Sequence, residues 1–401
     1  MRRWHLGPLQ NLKTQLTYTP ETIRAVQGTS VILRNESVQS VKSVVMAAPH
    51  EPVRVEEFPA PDLEPGAALL RTLYSEVCGT DVHLHHGRLA GVPYPIIPGH
   101  VAVGVIEAMN GPITDVEGRP FHPGDRVTFL DVHETCNQCW YCLVAKQSTR
   151  CPRRKVYGIT YSAREGLLGG WAEAIWMKPG VRMVRLPDEL HAETFIGGGC
   201  GLVTALHAID RAELSLGQSV AVLGAGPVGL SAAALARLSG AGTIVVVGDP
   251  ADRRALAMRM GADVALGLEV PAPERTERLR QLTDGRGVDV AIEASGAPEA
   301  VSQALDLVRD GGRVVIVGQY TDHGDVAINP HTQINRKHVD VRGCWGSDYS
   351  HFHRAVEIAA RYGEQVPWRE LASHVFPLER AGEALQAVKE RKVAKAVVRG
   401  A

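Results

Sequence analysis

The chain has 401 residues, room for two or three domains of ordinary size, and its 45% apolar and 22% charged residues are the balance of a globular protein. Lys and Arg number 43 against 44 Asp and Glu, a net charge of −1 that argues against a basic nucleic-acid surface and against an acidic tail for a basic partner. No stretch reads as long and apolar enough to span a bilayer, so no membrane partner is expected.

Residues 1–40 start with two arginines, lack the apolar block of a signal peptide and show no sustained period. They read as an extension of uncertain order, and a cytoplasmic location is expected. From about Val41, short β-like runs separated by Gly and Pro predict an irregular, mostly antiparallel region: "VKSVVMAA", "AALLRTLYSEVCG", "HVAVGVIEA" and "DRVTFLDV". The second run leads into "EVCGTDVHLHHG", which crowds Cys78, Thr80, Asp81 and His83 together with His85 and His86. Before the third stands Pro98-Gly99-His100, an imidazole at the mouth of a strand. Alone it is either a satisfied core group or one held ready for chemistry.

"CNQCWYCLVAKQSTRC" then places Cys136, Cys139 and Cys142 three apart and Cys151 nine later, four of the seven cysteines. In a long chain without a secretion signal this crowding favours metal over disulfides. Four thiolates in one lobe, about residues 133–155, suit a closed tetrahedral Zn²⁺ site, which has no open position and is therefore structural.

From about Leu202 the texture changes. "SVAVLGAGPVGLSAAALARLSGAGTIVVVGD" and "GVDVAIEASGAPEAVSQALDLVRDGGRVVIVG" alternate strand and helix, which means βαβ units on a parallel sheet. "GAGPVG" fits G-x-G-x-x-G in the context that motif needs, after a strand and opening a helix. Gly224 permits the tight turn, Gly226 the approach of a pyrophosphate and Gly229 close helix–strand packing, with Pro227 and Val228 beginning the helix. In "VVVGDPADRR" Asp249 can reach a ribose 2′-OH, cap the next helix, or do both. Arg253 or Arg254 can instead meet a 2′-phosphate, and the balance favours NAD over NADP. After about Gly343, β texture and helices mix again, as in "SHFHRAVEIAARYG" and "ERAGEALQAVKERK".

The order of these motifs resembles that of the zinc-dependent medium-chain alcohol dehydrogenases over about residues 41–401. The resemblance implies an α/β protein. A mostly β GroES-like catalytic domain takes residues 41–201 and 345–401, and a Rossmann domain with a doubly wound parallel sheet takes 202–344. It implies hydride transfer between a small alcohol, or its carbonyl, and NAD(P), with one catalytic and one structural Zn²⁺ per chain. Cys78 and His100 match ligands of the catalytic zinc. Cys200 in "GGGCGLVTALHAI" matches a third, unless it is only a small buried residue between domains. Thr80 then passes a proton from the substrate oxygen through the cofactor ribose to His83, and Asp81 orients His100. His85 and His86 are read as structural. The resemblance places Gly318, ending "RVVIVG", beside the nicotinamide. Lys395 in "KVAKAVV" aligns with a basic residue that meets the pyrophosphate in some members, the alternative being an exposed lysine. The short segment from Cys151 to Trp171 is similar to that of bacterial members that form tetramers, so a homo-oligomer, tetramer or dimer, is expected.

Where the family has Gly-His-Glu, this chain has Gly99-His100-Val101. The exchange predicts a less anionic metal site, or is a packing change within "VAVGV". It also admits a second reading, a reductase of C=C or C=N bonds on the same fold. A third, a non-catalytic cofactor-binding module, is opposed by the joint presence of Cys78, His100, Thr80 and His83.

Overall fold

The computed structural model describes residues 40–400, so the extension read over residues 1–40 lies outside the described residues except for Ser40. A hairpin, β1 (Ser40–Val45) and β2 (Arg54–Pro59), precedes the long strand β3 (Ala68–Val77). Then follow α1 (Gly79–His85), β4 (Ala102–Met109), β5 (Arg126–Phe129), the short α2 (Trp140–Leu143), β6 (Ala174–Met177) and β7 (Met183–Arg185). Strands β3, β4, β5, β6 and β7 pair antiparallel, as their alternating sequences predict.

Helix α3 (Ala192–Ala212) leads into a second layer system. It comprises β8 (Val220–Leu223), α4 (Pro227–Leu238), β9 (Ile244–Val247), α5 (Ala251–Arg259), β10 (Val264–Leu266), α6 (Ala272–Gln281), β11 (Val288–Glu293), α7 (Pro298–Leu307), β12 (Val308–Ile316) and β13 (Asp340–Gly343). These six strands are parallel in the order β10-β9-β8-β11-β12-β13, a doubly wound sheet. "VAVL" of β8 and "IVVV" of β9 are buried throughout, because helices cover both faces of such a sheet. The order reverses between β8 and β11, which opens a crevice at their carboxyl ends.

Helix α8 (Tyr349–Tyr362) packs on α3, and the chain ends in β14 (His374–Pro377), α9 (Ala381–Lys389) and β15 (Ala396–Arg399). Strand β15 returns to the first sheet and pairs antiparallel with β3, Ala396 opposite Val77.

Helix α3 corrects one expectation. Its 21 residues are long and apolar enough to cross a membrane, but 78% of its most apolar window is buried inside the protein, so it is a core helix. It also runs through positions 201 and 202, where the sequence texture divides the two regions. The helix is kinked at Gly199, whose φ of +46° only glycine adopts readily.

Candidate active site and metal centres

The catalytic donors meet because two strands are neighbours. Ser75 on β3 faces Ala102 on β4, and the Glu76 amide donates to the Val101 carbonyl at 3.1 Å. This register brings Cys78, just past the end of β3, beside His100, just before the start of β4. Helix α3 adds Cys200 one residue beyond its kink. One donor atom each from Glu76, Cys78, His100 and Cys200 lies within 4.8 Å of the others. Two sulfurs, an imidazole nitrogen and a carboxylate are a donor set that zinc accepts. Electrostatics say the same. Burial disfavours a charged His100, yet Cys78, Glu76 and Asp81 outweigh it and raise the imidazole to about 9. The Cys78 sulfur, with burial, pushes the Cys200 thiol well above its usual value. The cluster draws protons where a cation fits.

Glu76 was not singled out from sequence, although an acid inside the apolar run "LYSEVCG" is a signal. It is fully buried and accepts from the Cys200 amide at 3.1 Å and from Lys395 Nζ at 2.7 Å. Burial raises its carboxyl, but Lys395 and His100 more than reverse this and hold it below the usual value. Two expectations fall here. The site is not depleted of negative charge by Val101, because Glu76 supplies a carboxylate from the adjacent strand. And Lys395 is not exposed, nor does it line the cavity that Val228 and Gly318 share. It precedes β15, whose pairing with β3 turns the side chain under α3, where Nζ also donates to the Gly198 carbonyl at 2.8 Å.

Asp81 stands in the first turn of α1 and its Oδ2 accepts from the Cys78 amide at 2.9 Å. That bond pins the ligand loop. Burial raises the Asp81 carboxyl to about 6. Only Oδ2 is used by the helix end; Asp81 Oδ1 and His100 Nδ1 are both buried with no hydrogen-bond partner among the described residues, and the Asp81 carboxylate acts on His100 through its charge.

Thr80 and His83 share one cavity wall. His83 Nδ1 is 3.2 Å from the Thr321 hydroxyl, which is 3.1 Å from Nε2 of the exposed His323. Burial, then His323, pulls His83 down to about 4. His85 and His86 face His50 instead, with ring centroids 5.8–6.1 Å apart.

In the crevice, a Cβ on Gly229 would collide with the Gly224 carbonyl, whereas one on Gly226 would meet nothing within 4 Å. The space over Gly226 and the first-turn amides of α4 is the cradle a pyrophosphate needs. Val228 and Gly318 line the same cavity as Cys78 and His100. Pro227 begins α4 and packs close to Gly201 of α3. Glu293, fully buried, ties the turn after β11 to the end of β12 by accepting from the Ser295, Gly296 and Gly318 amides at 2.7, 2.9 and 3.2 Å. At the end of β9, Asp249 is paired with Arg254 and accepts from the Leu268 amide at 3.0 Å. It caps no helix, since Pro250 holds the N-cap position of α5. Arg253 is not free for a phosphate: it donates to the Val393 carbonyl at 2.7 Å.

The cavity between the sheets has a volume of about 220 Å³. Cys78, His100 and Cys200 line it, as do Val132, Ile159 and Phe352, together with Asp131 and Arg154, two charged residues the sequence reading passed over. Arg154 Nε is buried without a partner among the described residues. A larger groove of about 1250 Å³ along α6 and α7 contains neither the glycine loop nor a metal-donor cluster.

The second cluster is local. Sulfurs of Cys136, Cys139, Cys142 and Cys151 lie within 4.8 Å of one another, and Cys139 and Cys142 are 3.5 Å apart. A zinc tetrahedron with bonds of about 2.3 Å has edges of roughly 3.8 Å, so the four fit the ion. All seven cysteines are free thiols. The Gln138 amide holds Cys136 down to about 6, while burial and its cysteine neighbours push Cys142 up to about 12.

Residues 64–188 match the alcohol dehydrogenase GroES-like domain and residues 227–361 the zinc-binding dehydrogenase domain. The chain is 32% identical to 5-exo-hydroxycamphor dehydrogenase of Pseudomonas putida, over 90% of this chain and 99% of the relative. It is 29% identical to erythritol/L-threitol dehydrogenase of Mycolicibacterium smegmatis, over 90% and 97%. Among solved structures, an alcohol dehydrogenase of Thermotoga maritima superposes with a TM-score of 0.86 at 31% identity, covering 90% of this chain and all of that one. These relatives are named as dehydrogenases of alcohols and polyols, and in keeping with them this enzyme transfers a hydride between an alcohol and its carbonyl with a nicotinamide cofactor. The chain belongs to the zinc-dependent medium-chain alcohol dehydrogenases.

Proposed function

We propose that this enzyme is an NAD-preferring dehydrogenase of small alcohols that carry a second polar group, with one Zn²⁺ at Cys78, His100 and Cys200 and another at the four lobe cysteines. The observation that carries the reading is the convergence of Cys78, His100 and Cys200 on one cavity with Val228 and Gly318 of the cofactor crevice. Zinc at this place supplies a Lewis acid that favours alkoxide over alcohol.

The chain's own groups do the rest. Asp81 holds the Cys78 loop. The glycine loop and the α4 N-terminus would hold the pyrophosphate, and Val228 and Gly318, which line the same cavity as Cys78 and His100, would flank a nicotinamide that supplies or takes the hydride. The Thr80 hydroxyl would accept the proton that leaves the alcohol, and His83, on the same cavity wall, is the ring that would take it on toward solvent. Burial and then His323 hold His83 down to about 4, so its ring is neutral near neutral pH and a proton reaching it is passed on rather than kept. Thr321 and His323 continue the path to solvent.

Two features support NAD. Asp249 sits where the ribose docks, and Arg254, already paired with it, offers no free cation to a 2′-phosphate. The unpartnered Arg154 Nε supports a substrate with a hydroxyl or carboxylate beyond the reacting one. The exposed edge strand β13 supports a homo-oligomer that covers it, and a cytoplasmic location suits the free thiols. The alternative reduction of C=C or C=N bonds rested on a missing carboxylate, and Glu76 removes that ground.

The test is a panel of diols, hydroxy acids and apolar cyclic alcohols assayed with NAD and NADP, beside enone and iminium reduction. NAD-linked oxidation of the polar alcohols is expected. Turnover confined to enones or iminium compounds sinks the proposal.

A further inference from the structure

We propose that Glu76 is a protein ligand of the catalytic metal in the substrate-free enzyme, and that Lys395 is the residue that positions it. The inference rests on the reading of Cys78, His100 and Cys200 as a metal site.

Four observations carry it. Glu76 offers an oxygen inside the same 4.8 Å cluster as the two sulfurs and the imidazole, and Oε1 is 3.6 Å from His100 Nε2. The carboxylate is held on its other side by groups with no other business there: Lys395 Nζ on Oε2 at 2.7 Å and the Cys200 amide at 3.1 Å. Lys395 is itself fully buried and anchored to the Ile196 and Gly198 carbonyls at 3.3 and 2.8 Å. And α3 bends at Gly199, where a side chain would collide with the Glu76 carboxylate. Three elements, β3, α3 and the residue before β15, are thus built around one oxygen pair.

The arrangement is costly without a cation. Glu76 and Lys395 form a neutral pair, but Cys78 and Cys200 stand against it, and thiolate metal ligands add negative charge. A divalent ion at the cluster balances that charge and adds to Oε1, which otherwise accepts only the long 3.3 Å bond from the Cys200 amide, a partner of opposite charge. Cys78, His100 and Cys200 line the cavity whereas Glu76 and Lys395 do not. Glu76 therefore binds from behind, and the cavity side stays available to the alcohol. Register adds a further consequence. Glu76 and Val101 are neighbours across the two strands, the Glu76 amide donating to the Val101 carbonyl at 3.1 Å, and Val101 lines the cavity that Glu76 does not. A carboxylate moved from position 76 to position 101 therefore approaches the same cluster from its cavity side.

The experiment uses the full enzyme with zinc counted by mass spectrometry and the catalytic ion replaced by Co²⁺. Visible spectra and the rate of cobalt loss to a chelator are read for wild type, Glu76→Gln, Glu76→Gln with Lys395→Met, and Glu76→Val with Val101→Glu. Retention of the lobe metal and the circular dichroism spectrum report folding independently. Glu76→Gln is expected to shift the cobalt d–d bands and to speed metal loss by about 10–100-fold, the range for losing an important partner at a metal site. The double variant, which leaves no unpaired buried charge, is expected to match it. The Glu76→Val/Val101→Glu exchange is expected to recover most of the retention. Wild-type spectra and loss rates in a folded Glu76→Gln enzyme overturn the proposal while leaving the metal site standing. A wild type that holds only one ion, retained after Cys78→Ser, overturns the metal-site reading and this proposal with it.

Discussion

The two cysteine clusters are built on opposite principles. The lobe site takes all four sulfurs from sixteen consecutive residues, Cys136 to Cys151, and three of them are only half buried. The catalytic site takes its donors from β3, from the loops around it and from α3, positions 76 to 200, with Lys395 added from the end of the chain. The first is made by local spacing and lies within one surface lobe. The second exists only when two sheets and a kinked helix are in register, and it is buried. The metal affinity proposed for the lobe would therefore be a local property, whereas that proposed for the buried cluster would be a property of the whole fold.

The sharpest way to break this contrast is Cys78→Ser. It is expected to lower turnover by 10³-fold or more, the several kcal/mol a Lewis acid contributes, while one metal per chain remains in the lobe. Loss of both ions would show that the two sites are coupled. Next is Lys395→Ala, which strands the buried Glu76 carboxylate. We expect about 3–5 kcal/mol of destabilisation in denaturant melts, against under 1 kcal/mol for an exposed lysine such as Lys42. In the lobe, Cys139→Ser is expected to open residues 136–151 to protease and lower the melting midpoint by a few degrees, the effect of about 1 kcal/mol on a chain of this size. Activity at low temperature should survive; if it does not, the lobe is not merely a local element.

Two smaller effects probe the reaction path. His83→Gln is expected to slow oxidation about tenfold, with partial rescue by added imidazole, which a purely structural defect would not show. The pH sign follows from burial. His83 is held at about 4 against an ordinary 6.5, so between these values the unfolded chain binds more protons. Its stabilising contribution is present above pH 6.5 and lost as pH falls toward 4. His83→Gln should flatten the melting midpoint across that window relative to wild type. Asp249→Ala, the smallest, is expected to raise KM for NAD a few-fold more than for NADP; an equal rise means that Asp249 does not read the ribose.

The Rossmann half was legible because each of its devices is local. Strand, glycine turn and helix follow one another, and Gly224 and Gly229 are required by contacts a few residues away. The lobe was legible for the same reason. Lys395 was misread because its partner depends on how the chain returns on itself: a strand pairing made across more than 300 positions of chain carries it into the core.

By itself the sequence determined the glycine cradle and the lobe's four sulfurs, since short spacing and periodicity encode these, while the fold family and Cys78 with His100 as candidate ligands were implied by the resemblance of its motif order to a known family. Val101 read alone implied a lost charge. Only the tertiary structure decided otherwise. The pairing of β3 with β4 sets Glu76 beside Val101, and β15 brings Lys395 to hold it, so the cluster has a carboxylate from the adjacent strand.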